Sequence, residues 1–224
     1  MVVSTFMRNP SDGLQASGAE AKVTKVPCPL EFTSIILCIG LNYKKHAKEG
    51  NVEISPYPVV FTKPADALTG PYDNVDVHPD ASSRLNYEGE LVVVIGKDGK
   101  NLLEKEALDY VLSYTVGNDI SARNFQHSNV GSSQFYYAKS FGRFAPIGPA
   151  IHTTKEVPDP QTLSFVTRVG GEKRQIIAHL SRGTTLRKGI VFMTGTPSGV
   201  GLFISVGFFA ITVWWKWSSR RWPT

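Results

Sequence analysis

From Thr33 onward, short apolar runs alternate with breaks marked by glycine and proline, a texture of strands rather than long helices. Ser34–Gly40 (SIILCIG) is an apolar run ending at glycine and predicts a buried strand. Pro58–Lys63 predicts a second strand, stopped by Pro64. Glu88–Gly96 (EGELVVVIG) is the clearest strand, β-branched and followed by Lys97-Asp98-Gly99-Lys100, which reads as a hairpin-type turn. Leu103–Leu112 places Leu103, Ala107, Leu108 and Val111 near helical spacing and predicts an amphipathic helix. Tyr114–Gly117, Ser164–Val169 and Ile190–Thr194 predict further strands. Asn42–Glu49 carries Lys44, Lys45, His46 and Lys48 and reads as a short polar helix or lid-like loop. Residues 1–33 form a polar lead-in with few periodic apolar positions, and no internal repeat is found. Many short strands and few helices predict a compact, β-rich α+β fold.

The 224 residues suffice for one sizeable domain, and 42% apolar with 19% charged residues is a globular composition. Two cysteines, Cys28 and Cys38, make no disulfide framework and fit a reducing setting, cytoplasmic or, as the alternative, mitochondrial. Met1–Ala16 lacks the apolar core of a secretory signal. The formal charge of +5 suits an anionic ligand. The basic residues are scattered, with no stripe and no zinc or RNA-binding motif, so no nucleic-acid partner is expected. Gly189–Trp215 has no charged residue and resembles an anchor by length. Pro197 and glycines at 189, 195, 199, 201 and 207 argue against a membrane partner.

Glu88 and Glu90 lie two apart on a predicted strand, which puts both carboxylates on one face. Adjacent carboxylates repel, and are tolerated when solvated or when a cation sits between them. Asp119 follows at a predicted strand end, where a carboxylate projects into a cleft. Three carboxylates completed by water suit Mg²⁺ or Mn²⁺. On spacing alone, Glu-Gly-Glu usually describes a solvated strand end. The segment after Asp119, with Arg123, Gln126 and Lys139 among Ser, Asn and aromatics, shifts the balance.

The phrases GLNYKKHAKE, VVFTKPADALTGP, LNYEGELVVVIG, GNDISARNFQ, AKSFGRFAPIGP and TGTPSGVG together resemble the fumarylacetoacetate hydrolase family, over residues 34 to about 202. The resemblance implies a mixed β-roll of that family's C-terminal domain type, usually a homodimer. It implies metal ligands at Glu88, Glu90 and Asp119, and substrate-orienting residues at Arg123 and Gln126. It further implies an active-site lysine at Lys139, a carboxylate-binding loop at Thr196, and a lid pair, His46 and Glu49, that activates water. The implied activity is Mg²⁺-dependent (or Mn²⁺-dependent) chemistry on a small 2-oxo or 1,3-dicarbonyl acid: C–C hydrolysis, decarboxylation or oxaloacetate tautomerisation. The other class of function it leaves open is a catalytically impaired remnant that binds metal or a homologous subunit. His127, His152 and His179 receive no role.

Two departures from the family pattern stand out. Gln175 runs straight into Ile176–Leu180 where the family has a polar loop, a deletion expected to remove part of the wall beside the site and the start of a helix. The tail ends in Trp214-Trp215-Lys216-Trp217 where an alternating strand is expected. Back-translated and read from the third base, Val213–Trp217 gives apolar-Val-Glu-apolar, that alternating pattern, so the tail reads as out of frame. The expected organisation is a lead-in over 1–33, an incomplete catalytic domain over 34–207 and an aberrant tail over 208–224.

Overall fold

The computed structural model describes residues 2–9, 13–22, 24–126, 133–160, 163 and 173–196, with residues 2–9, 13–21, Glu49 and residues 173–175 described by backbone alone. The centre is a six-stranded mixed sheet. Its order is His152–Thr153, Val111–Asn118, Gly89–Ile95, Val191–Met193, Ile35–Gly40, Val59–Pro64. Val191–Met193 runs parallel to Ile35–Gly40, and the other neighbours are antiparallel.

The sheet is covered on both faces, and the two-residue period of its strands sorts side chains between two cores. Leu91, Val93, Ile95 and Phe192 pack on one face with Leu102, Ala107, Ile177 and Leu186. Val92, Val191, Met193, Ile36 and Cys38 pack on the other with Ala67, Ala145 and Ile147. Glu90 shares the parity of Val92 and lies on this second face, so the strand that builds the core also carries a carboxylate into it.

Four elements differ from expectation. The lead-in contains two strands, Val2–Asn9 and Gly13–Lys22, paired antiparallel. Lys97–Lys100 is not a tight hairpin: Gly99–Lys100 pairs with Thr185–Leu186, and the chain returns only at Val111. The expected amphipathic helix is a 3₁₀ helix, Glu104–Tyr110, ended where Val111 enters the ladder opposite Ile95. A helix, Lys173–Ser181, runs unbroken through Gln175–Ile176, so residues before that junction supply the helix start that the deletion was expected to remove. The strand expected over Ser164–Val169 and the tail over 208–224 lie outside the described residues.

Candidate active site

Glu88 immediately precedes the Gly89–Ile95 strand and Glu90 is its second residue; both are buried. Asp119 follows the Val111–Asn118 strand and is fully buried. The pairing Gly89↔Asn118 aligns these strand ends, and Asp119 N–H donates to the Glu88 carbonyl at 2.8 Å. One carboxylate oxygen from each of the three residues lies within 4.8 Å of the others. Oxygens around Mg²⁺ at about 2.1 Å stand about 3 Å apart when adjacent and about 4.2 Å when opposite. The three oxygens thus converge on one point, and drawing them together around an octahedral ion needs only side-chain movement.

Three cations meet these carboxylates. Lys139, at the end of the Phe135–Lys139 helix, contacts Asp119 Oδ2 at 2.6 Å and Glu88 Oε2 at 3.0 Å. Arg123 Nη2 contacts Glu88 Oε1, and its Nη1 donates to Gln126 Oε1 at 2.6 Å. Lys63, on the Val59–Pro64 strand, stands 2.7 Å from Asp119 Oδ1. Glu90 instead accepts the Gly195 N–H at 2.8 Å. Gly195 takes φ +91°, and a Cβ there would stand 2.7 Å from the Ile39 carbonyl, so only glycine brings this amide to Glu90 without strain.

Electrostatics separates Glu90 from Asp119. Burial, then repulsion from Asp119, pushes the Glu90 carboxyl well above the usual range. Burial also opposes ionisation of Asp119, but Lys139 and Lys63 outweigh it and hold its carboxyl low. Burial lowers both lysines, and lowers Arg123 to about 10. Asp119 Oδ1 is buried, and its one close polar neighbour among the described residues is the Lys63 ammonium. Converging buried carboxylates, one of which (Glu90) has no ion pair among the described residues, suit a hard metal ion.

The structure thus gathers Glu88, Glu90, Asp119, Arg123, Gln126 and Lys139. Thr196 joins them, its hydroxyl donating to the Gly89 carbonyl at 3.2 Å. His46 is buried on the Lys44–Glu49 helix, not exposed among its lysines. Just before that helix, the Asn42 side-chain amide donates to the Thr194 carbonyl at 2.6 Å, tying this end of the sheet to the Gly195–Thr196 loop. Beside Gly40–Asn42 opens a cleft of about 780 Å³, lined also by Tyr57, His179 and Arg182. The Glu49 side chain lies outside the described residues. Lys63 is the site residue that sequence reasoning missed; its signal was a lysine inside an otherwise apolar strand.

The family model described as fumarylacetoacetate (FAA) hydrolase C-terminal matches residues 35–221. The chain is 43% identical to the fumarylacetoacetate hydrolase domain-containing protein 2 homolog of Dictyostelium discoideum, covering 79% of this chain and 64% of that relative. It is 38% identical to oxaloacetate tautomerase YisK of Bacillus subtilis (strain 168), covering 89% and 70%. The crystal structure of fumarylpyruvate hydrolase from Pseudomonas aeruginosa in complex with Mn²⁺ and pyruvate matches with a TM-score of 0.66 at 29% identity, covering 81% and 88%. The chain spans just under two thirds of the Dictyostelium relative's length.

Proposed function

Because this chain belongs to the fumarylacetoacetate hydrolase family, we propose that its carboxylate site binds Mg²⁺ or Mn²⁺ and interconverts the keto and enol forms of a small 2-oxo dicarboxylic acid of the oxaloacetate type. One observation carries this reading: Glu88 and Asp119 hold cations while buried Glu90 holds only a backbone amide. With Glu90 ionised, the three negative charges balance Lys63, Lys139 and Arg123. A divalent ion then leaves an excess of two positive charges, complementary to a dicarboxylate. The tautomerase relative supports the same substrate class.

When bound, the ion supplies a Lewis acid for the neighbouring keto and carboxylate oxygens of a 2-oxo acid. The chain's own residues do the rest. Lys139 places a buried ammonium where the enolate charge develops, and Arg123, braced by Gln126, adds a second fixed cation. Thr196 orients a substrate carboxylate. Tautomerisation moves one proton from the carbon between the keto and distal carboxyl groups to the keto oxygen; the π bond shifts from C=O to C=C, and no heavy-atom bond is formed or broken. His46 carries that proton.

The test follows enol absorbance and pyruvate separately, with Mg²⁺, Mn²⁺ or chelator, alongside calorimetric Mn²⁺ titration. The expected outcome is metal-dependent loss of enol without matching pyruvate. Asp119→Asn should lose the binding heat and about a hundredfold or more in rate. Equal Mn²⁺ affinity in the native chain and Asp119→Asn would overturn the site assignment.

A further inference from the structure

We propose that Lys63 is a positioning residue of this site: a fixed ammonium that sets the Asp119 carboxylate and the Lys139 segment, so that the three acids converge on one ion. The inference rests on the metal reading above.

Lys63 is fully buried, and its three N–H groups reach three backbone carbonyls: Ile120 at 2.9 Å, Lys139 at 3.0 Å and Phe144 at 2.9 Å. An ammonium has three donors, so these carbonyls saturate it. Asp119 Oδ1, 2.7 Å from the same ammonium, is ion-paired to a cation that these carbonyls already hold in place, which sets the direction of the carboxylate. The three carbonyls belong to the residue after Asp119, to Lys139 itself and to the loop beyond it. One side chain therefore fixes the backbones carrying a proposed ligand and the active-site lysine. Phe61, two residues earlier and on the same strand face, stands with its ring 4.7 Å from the Lys139 ammonium.

The two lysines differ in what holds them. Lys139 contacts the Glu88 and Asp119 side chains, which can rearrange around an incoming ion. The carbonyls that hold Lys63 move only if the chain moves. Lys63 is thus the permanent cation and Lys139 the adjustable one.

Charge and geometry make opposite predictions. A cation beside a metal repels it, so a purely electrostatic Lys63 would, on removal, leave metal affinity higher. A positioning Lys63 would leave it lower. The experiment titrates Mn²⁺ into the whole chain by calorimetry for native protein, Lys63→Met and Lys63→Arg, with near-ultraviolet circular dichroism to establish folding. Expected are unchanged stoichiometry and dissociation constants at least tenfold weaker for Lys63→Met and at least fivefold weaker for Lys63→Arg. Arginine keeps the charge, but its planar fork cannot meet three carbonyls around one point. If Lys63→Met does not fold, Lys63→Arg decides. Equal or tighter affinity in either folded variant overturns the proposal. So does a fall in stoichiometry at unchanged affinity, or failure of both variants to fold, since each makes Lys63 a residue of the fold rather than of the site. Native protein that binds no Mn²⁺ would instead fail the metal reading, and this inference with it.

Discussion

Glu90 is buried without a cation beside it, and a carboxylate so placed costs stability until something neutralises it. Glu90→Gln removes that charge and keeps an oxygen for the Gly195 N–H. In metal-free buffer at neutral pH the variant should be more stable by about 1 kcal/mol, a rise of about 2–4 °C in melting temperature. Its melting should no longer respond to Mn²⁺. Thermal melts with and without Mn²⁺ decide this, and a metal-free melting point below the native value would sink it. The shared face of Glu88 and Glu90 was legible because a two-residue spacing on a strand fixes it, whereas the link to Asp119 came from the family resemblance and not from spacing. Lys63 was not legible: a lysine on a strand can extend its ammonium to water, and the carbonyls that hold it lie 57, 76 and 81 residues away.

Elements were legible where burial enforced them and illegible where a partner decided them. The Gly89–Ile95 strand follows from its β-branched run, and the Glu104–Tyr110 helix was limited by a ladder that helical periodicity cannot reveal. Lys173–Ser181 is similar: Ile176, Ile177 and Ala178 are buried, and Ser181 accepts the Asn101 and Leu102 N–H groups, so tertiary contact holds the element at a junction where the pattern looked broken. The Gly70–Asp73 turn is held by a carboxylate. Asp73 pairs with Lys25 at 2.6 Å and accepts from the Gly70 N–H and the Thr69 hydroxyl, both at 2.9 Å. Lys25, then the Gly70 amide, then Thr69 lower its carboxyl to about 2. A carboxyl depressed on folding adds stability that is present above its unfolded value near 3.9 and is lost as pH falls through 2. Lys25 is solvent-exposed and the pair is screened, so Asp73→Asn should cost only about 0.5–1 kcal/mol at pH 6. The gap between native and variant in urea melts should close between about pH 4 and pH 2. A gap that persists unchanged at pH 2 would show that shape rather than charge holds the turn.

Among the described residues, the buried members of three core clusters run from Ile36 to Phe192 and Met193, and the candidate site from His46 to Thr196. The anchor-like stretch begins inside this core: Val191–Met193 is a buried inner strand of the sheet, paired on both sides. Among the described residues, no helix is long and apolar enough to cross a membrane. The family match continues to residue 221, which would assign packing to the tail, whereas the out-of-frame reading assigns it none. Truncation after Gly207 separates the two. All four tryptophans, Trp214, Trp215, Trp217 and Trp222, lie beyond that point. An exposed aromatic cluster promotes association more than it stabilises. The truncated chain should melt within about 2 °C of the full chain, bind Mn²⁺ with the same affinity and scatter less light at equal concentration. If the tail instead completes the sheet, its removal exposes an edge and buried apolar surface, at about 2–5 kcal/mol for each large side chain lost. A melting point lower by about 5 °C or more would then show that residues 208–224 are part of the fold.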